Sequence, residues 1–185
     1  MVIEELYNEI YSNYADYNGD HTTEHELKQN FIDDFVQMHN GSVLDAGCGS
    51  GYTLRKLYNE GVDIVGIDFS QIACENHLQG LPHHCISIMD FCKTFPKYDS
   101  IICTDVLEHI PHEELYDNLL WMANTSEHVL FGIANHSDIK LGKELHLIQK
   151  PIEWWTETLQ KFYYDVEQVT SMFDDRFFFI ECYNH

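Results

Sequence analysis

Short apolar runs alternate along this chain with stretches of helical periodicity, and that alternation restricts the fold more than any other feature. Ser42–Asp45, Val62–Asp68, Cys85–Met89, Ser100–Thr104 and His128–Ala134 read as strands. Between them Tyr52–Asn59, closed by Gly61, a segment capped by Ser70 and running to His77, and Pro111–Met122 read as helices. Strands separated by helices of this length build βαβ units and a parallel sheet. The tail departs from the pattern. Ile152–Phe162 is helical behind Pro151, and Tyr163–Thr170 with Arg176–Tyr183 predicts a hairpin about Met172–Asp175. Pro96–Asp99 reads as the turn that leads into the strand at Ser100.

Residues 1–40 are helical and acidic, and Tyr7, Tyr11, Tyr14 and Tyr17 recur at three- and four-residue spacings. That spacing predicts a packing stripe or a lid over a neighbouring cleft. With 185 residues and no linker, repeat or low-complexity stretch, one domain is expected. It divides into N-terminal helices (1–40), a ligand-binding core (41–135) and a closing loop, helix and hairpin (136–185).

Charge limits the partners. Ten Lys and Arg oppose 31 Asp and Glu, a formal net charge of −21. Affinity for phosphate backbones comes largely from basic side chains, so nucleic acid is disfavoured as a substrate, and an anionic membrane surface with it. No apolar run is long enough to span a bilayer, and the acidic start lacks the features of a signal peptide, so a cytoplasmic protein is expected. None of the six cysteines forms a C-x-x-C pair; buried free thiols are the expectation.

The chemistry concentrates at a bend. Asp45-Ala-Gly47-Cys48-Gly49-Ser50-Gly51 joins the first strand to the first following helix. Glycines there admit positive φ and leave no Cβ in the way of a ligand. Asp68 closes the next strand, 21 residues after Gly47, where a carboxylate can accept bonds from both ribose hydroxyls. The dinucleotide fingerprint requires a sixth-place glycine, which is Tyr52 here. Asp45 opposes a pyrophosphate but suits an ammonium group. The bend therefore favours S-adenosylmethionine over NAD.

Val43–Leu54, Ile64–Ser70 and Ser100–Pro111 together resemble the class I S-adenosylmethionine-dependent methyltransferases, over roughly residues 40–135. The resemblance implies an α/β fold: a Rossmann-like, seven-stranded, mostly parallel sheet with helices on both faces and an antiparallel last strand. It implies that Asp45, Gly47, Cys48, Gly49 and Gly51 wrap the methionine end. Asp68 would hold the ribose, Phe69 would lie against the adenine, Asp90, with Phe91 as its neighbour, would meet the adenine amine, and Thr104 and Asp105 would line the sulfonium side.

The acceptor side rests on Asp105-Val-Leu-Glu108-His109 and on the loop from Asn135 to Trp155. His109, His136 and His146 are candidate general bases, since imidazole titrates near neutrality. Glu108 and His109 have a simpler reading as caps of the following helix. The two histidines, three lysines and Trp154–Trp155 of the loop suit a small-molecule or sugar acceptor, with a hydroxyl as the accepting group, although the tryptophans also read as one core and one surface residue of a helix. Asp105-x-x-Glu108-His109 is also similar to the metal-binding stretch of the small-RNA ribose methyltransferases, whose first residue is Glu. Either His136 or His146 would complete such a site, although the reading retained assigns no metal. A non-catalytic module that only holds the cofactor is the remaining alternative.

Overall fold

The computed structural model describes residues 3–14, 17, 23–94 and 97–184. Helices α1 (Ile3–Asn13) and α2 (Thr23–Met38) precede β1 (Val43–Ala46), α3 (Tyr52–Asn59), β2 (Ile64–Asp68) and α4 (Gln71–His77). There follow β3 (His83–Cys85), α5 (Ile88–Thr94), β4 (Ser100–Thr104), α6 (His112–Thr125) and β5 (His128–Ala134). A small hairpin, β6 (Ile139–Lys140) with β7 (Lys143–Glu144), leads to α7 (Ile152–Leu159) and the closing hairpin of β8 (Asp165–Met172) and β9 (Phe177–Tyr183).

The main sheet has seven strands in the order β3-β2-β1-β4-β5-β9-β8. Pairings from β3 to β5 are parallel, and β9 runs antiparallel to both of its neighbours. Alternation along each strand divides the apolar side chains between two faces. Leu44, Ile101, Phe131 and Phe178 point to a core completed by Leu115 and Leu119 of α6 and Trp155 of α7. Val43, Ile102, Leu130 and Phe179 point the other way, against Phe35 of α2 and Leu54 and Leu57 of α3. Each such fully buried side chain contributes about 1.5–3 kcal/mol of transfer free energy. Helices therefore cover both faces, as expected.

Because β1 lies between β2 and β4, the chain leaves β1 in one direction across the sheet and returns in the other. The strand order thus reverses at the carboxyl ends of β1 and β4, which opens a crevice there.

Two stretches differ from the sequence reading. The third strand is His83–Cys85, and the apolar residues after it enter α5 instead of extending the strand. Ser87 causes this: its Oγ accepts the Asp90 N–H at 3.2 Å and donates to the Asp90 carboxylate at 2.9 Å, a reciprocal cap that starts a helix. The strand instead takes in His83 and His84, ahead of the run read from Cys85. Pro96, expected in the turn before β4, lies outside the described residues. No helix among the described residues is long and apolar enough to cross a membrane.

Candidate active site

The β1–α3 bend forms the floor of a cleft of about 310 Å³. Gly47 and Gly49 line it with φ of 79° and 53°. A Cβ on Gly47 would meet Val106 Cγ2 at 2.4 Å, and one on Gly49 would meet the Tyr11 hydroxyl at 2.7 Å. Both the backbone angle and the space therefore demand glycine. Asp45, at the end of β1, is 4% exposed and lines the same cleft, and its Oδ2 has no hydrogen-bond partner among the described residues. Burial, and then the neighbouring Asp68, raise its carboxyl to about 7. An unmatched buried acceptor of this kind fits the ammonium end of the expected ligand.

Asp68 is held from both sides. Gly49 N–H donates to Oδ2 at 3.0 Å and Ser70 N–H to Oδ1 at 2.8 Å. Burial raises its carboxyl to about 6, while those backbone donors oppose the shift. Helix α1 covers this half of the crevice. Tyr7 meets Phe69 edge-on at 5.3 Å, and the Asn8 side-chain oxygen accepts the Ser70 hydroxyl at 2.7 Å. Tyr11 is buried in the same cluster and also lines the open cleft. The tyrosine stripe thus packs and covers at once.

At the other end the three candidate histidines come together. The rings of His109 and His146 lie 4.7 Å apart, and those of His136 and His146 4.8 Å apart. Backbone carbonyls orient them: His109 Nδ1 faces Leu145 O at 3.1 Å, and His146 Nδ1 faces His136 O. With Nδ1 engaged as donor, Nε2 is left as the basic nitrogen of each ring. Burial first, and His146 second, lower His109 to about 4. Burial also lowers His146.

Glu108 is fully buried beside them. Its Oε1 accepts the Ala134 N–H at 2.8 Å, and its Oε2 has no partner among the described residues. Ligating atoms of Glu108, His109 and His146 lie within 4.8 Å of one another. Burial, followed by Asp105, raises the Glu108 carboxyl. It does not cap the following helix, whose N-cap is Pro111 without a side-chain bond; it ties the turn after β4 to the end of β5.

Sequence reading did not reach several cleft residues. Lys28, on α2, grips both oxygens of Asp105 at 2.9 and 3.0 Å and lies 3.7 Å from the centre of the Phe177 ring. Asp105 itself adopts φ 54°. Tyr17 donates to Asp138 at 3.0 Å across the cleft. Glu144 gathers the loop after β5, accepting the Ser137 hydroxyl, Asp138 N–H at 2.8 Å and His146 N–H at 3.0 Å. Those donors hold its carboxyl down at about 2. A lysine in so acidic a chain was the one signal for Lys28; contacts across 77 residues leave none.

Of the residues proposed from sequence, Asp45, Gly47, Cys48, Gly49, Thr104, Asp105, His109, His136 and His146 line the cleft. Gly51 lies beside it and packs against Leu78. Asp68 and Phe69 sit under α1. Asp90 is exposed with its carboxylate on Ser87, and Phe91 is fully buried against His84 and Tyr98. Neither reaches the cleft. Nor does the tryptophan pair: Trp155 is in the core, and Trp154 packs on it at 5.0 Å and on His112 at 5.9 Å.

Comparison with known proteins agrees with this geometry. A family model described as a methyltransferase domain matches residues 20–177. The chain is 29% identical over 116 residues to the ubiquinone biosynthesis O-methyltransferase of Hydrogenovibrio crunogenus, covering 57% of this chain and 48% of that protein. To the enzyme of the same name from Photorhabdus laumondii it is 25% identical over 146 residues, covering 72% and 61%. It thus spans about half to three-fifths of the length of these curated relatives. Among solved structures, magnesium protoporphyrin IX methyltransferase from Synechocystis with bound SAH superposes with a TM-score of 0.73 at 16% identity, covering 98% and 99% of the two chains. A SAM-dependent methyltransferase from Archaeoglobus fulgidus gives 0.69 at 14%, covering 86% and 94%. At such identities these structures speak for the fold.

Proposed function

The chain belongs to the class I S-adenosylmethionine-dependent methyltransferases, with S-adenosylmethionine as its methyl donor, and on that premise we propose that it methylates a hydroxyl group of a small molecule, with His146 accepting the hydroxyl proton. The carrying observation is that His109, His136 and His146 converge on the cleft that the glycine bend and Thr104–Asp105 define. The names of the curated relatives, O-methyltransferases, support oxygen as the accepting atom.

The sulfonium supplies an activated methyl group and departs as a neutral thioether, so the protein's task is placement. In this reading Asp45 receives the ammonium of the donor, the Gly47–Gly49 backbone follows its methionine end, and Asp68 takes the ribose hydroxyls. His146 Nε2 faces the attacking hydroxyl, and its Nδ1 is fixed on His136 O. Glu144 holds the His146 backbone in place. His109, lowered to about 4, is neutral at working pH and keeps the cleft wall uncharged beside His146. Tyr11, Tyr17 and Tyr52 at the cleft wall provide aromatic surface for a small acceptor.

The test is a screen of phenols, hydroxy acids and nucleotide sugars for S-adenosylhomocysteine release, followed by His146→Ala on the best acceptor. General-base assistance is worth about 10²–10⁴-fold, so kcat should fall at least a hundredfold while donor affinity holds. Turnover within twofold of wild type removes His146 from the role.

The unpartnered Glu108 Oε2, beside two histidines whose Nδ1 atoms are already anchored, favours a second reading in which Glu108, His109 and His146 hold a divalent cation. Carboxylate with imidazole suits zinc or manganese, and outer contacts of this type orient such ligands. A cation there would lower the pKa of a nearby hydroxyl. Titration calorimetry with zinc and manganese, against Glu108→Gln, separates the two readings; no heat with either metal leaves the histidine-only site. Ribose methylation of RNA would add metal dependence and salt-sensitive RNA binding, against a net charge of −21.

A further inference from the structure

Four of the six thiols are buried, but Cys85 is exposed, contrary to the expectation of buried thiols throughout. It ends β3 as the register partner of Asp68. Its sulfur lies 3.3 Å from Gln71 Oε1 and 4.0 Å from Phe69 O. Cys74, on the adjoining helix α4, points its buried sulfur at Asp68 O, 3.6 Å away. Both sulfurs thus sit against consecutive backbone carbonyls, those of Asp68 and Phe69, from adjoining elements. One thiol faces solvent, the second lies behind it, and the backbone of Asp68 and Phe69 runs between their anchors.

We propose that Cys85 and Cys74 are a modification site, an oxidisable thiol pair whose disulfide weakens S-adenosylmethionine binding through Asp68. The gating half rests on the ribose role given to Asp68 above. The chemistry needs a two-electron oxidant, a hydroperoxide such as hydrogen peroxide. The exposed Cys85 thiolate attacks a peroxide oxygen: the S–O bond forms, the O–O bond breaks, and hydroxide leaves to be protonated to water. Cys85 is then a sulfenic acid. The Cys74 sulfur attacks that sulfur, an S–S bond forms, the S–O bond breaks, and hydroxide departs with the Cys74 proton as a second water. A dithiol reductant reverses the change by exchange.

The coupling is geometric. A disulfide requires the sulfurs at about 2.05 Å, far inside any non-bonded contact, so α4 and β3 must draw together. Cys74 would turn away from Asp68 O, and α4 is capped by Ser70, whose N–H holds Asp68 Oδ1. Any shift of α4 is passed directly to the carboxylate. Burial and the Cys85 thiol both push the Cys74 thiol up, which makes the exposed Cys85 the sulfur oxidised first.

The experiment treats the purified full chain with hydrogen peroxide, alkylates it, and combines intact mass, non-reduced peptide mapping and calorimetry with S-adenosylmethionine. We expect a loss of about 2 Da, a Cys74–Cys85 cross-linked peptide, and affinity reduced at least tenfold and restored by dithiothreitol. Cys85→Ser should bind like the reduced wild type before and after peroxide. Cys74→Ser should instead accumulate a dimedone-reactive sulfenic acid on Cys85. A cross-link through Cys48, over-oxidation of Cys85 without a cross-link, or a Cys74–Cys85 disulfide with unchanged affinity each overturns the proposal. Reduced protein that binds no S-adenosylmethionine defeats the parent reading and the gating half with it, and the peptide map still decides whether the pair forms.

Discussion

Replacing Asp68 by Asn changes one oxygen to an amide and little else, which makes it the sharpest single substitution. A carboxylate offers about four acceptor positions. Gly49 and Ser70 amides occupy two, one on each oxygen, which leaves one per oxygen for a pair of ribose hydroxyls. Each charge-assisted bond is worth about 1.5–3 kcal/mol. In Asp68→Asn the side-chain NH2 must face either Gly49 N–H or Ser70 N–H, donor against donor, and the ribose loses at least one charged acceptor. We expect a loss of about 3–5 kcal/mol in binding, between two and four orders of magnitude in affinity. The fold should survive, because the substitution also removes a buried carboxylate whose ionisation burial opposes. Calorimetry with S-adenosylhomocysteine reads the affinity without turnover, and a melting curve of the apoprotein controls for folding. Affinity within threefold of wild type, in a protein that melts normally, would refute the ribose assignment.

Four further predictions follow the same logic. Gly49→Ala must place a Cβ at φ 53° and 2.7 Å from the Tyr11 hydroxyl. The left-handed backbone alone costs about 1–2 kcal/mol, so differential scanning calorimetry should show a melting temperature lowered by about 2–8 °C, with weaker donor binding. Trp155→Ala removes a fully buried ring from the core and should cost about 3–5 kcal/mol in denaturant titration, leaving donor affinity intact at low temperature. Glu144→Ala releases the loop that carries His146, so kcat should drop while the pH profile keeps its shape; a shifted profile would mean that Glu144 itself titrates in the reaction. The last concerns pH. Burial raises Asp68 to about 6 and Asp45 to about 7, above the ordinary 3.8, so the folded apoprotein holds more protons than the unfolded chain between those values. Its stability therefore falls as pH rises from about 4 to about 7. A donor that pairs with the ionised carboxylates expels those protons, so its affinity should climb by up to about tenfold per pH unit per proton and level off above that window. Affinity independent of pH across this range would contradict the assignment.

The parts of the fold written in local chemistry were legible from sequence. Tyr52–Asn59, Ser100–Thr104 and His128–Ala134 lie where periodicity put them, since each is an uninterrupted helical or apolar run between turn residues. The third strand was misread because Cys85–Met89 is apolar enough for a strand, whereas Ser87 and Asp90 carry a helix cap within the same run. That cap also engages the Asp90 carboxylate, which resemblance alone assigns to the adenine. The glycine bend and the meeting of three histidines were accessible because motif spacing and the strand–loop order determine them. Lys28 on Asp105, Tyr17 on Asp138 and the tyrosines over Phe69 depend on how α1 and α2 fold back over the crevice, and no local spacing encodes that. Of the two readings of Trp154 and Trp155, acceptor contact and helix packing, the second holds: the helix turns Trp155 into the core and rests Trp154 upon it.

The central claim is that the bend at Gly47–Gly49, together with Asp45 and Asp68, receives the methyl donor. A crystal structure of the complex with S-adenosylhomocysteine tests it most directly. The account predicts the amino group against Asp45, the homocysteine backbone along the bend, and both ribose hydroxyls on Asp68, with Tyr7 and Tyr11 displaced or closed over the adenosine. A ligand bound elsewhere, or ribose hydroxyls turned away from Asp68, would contradict it.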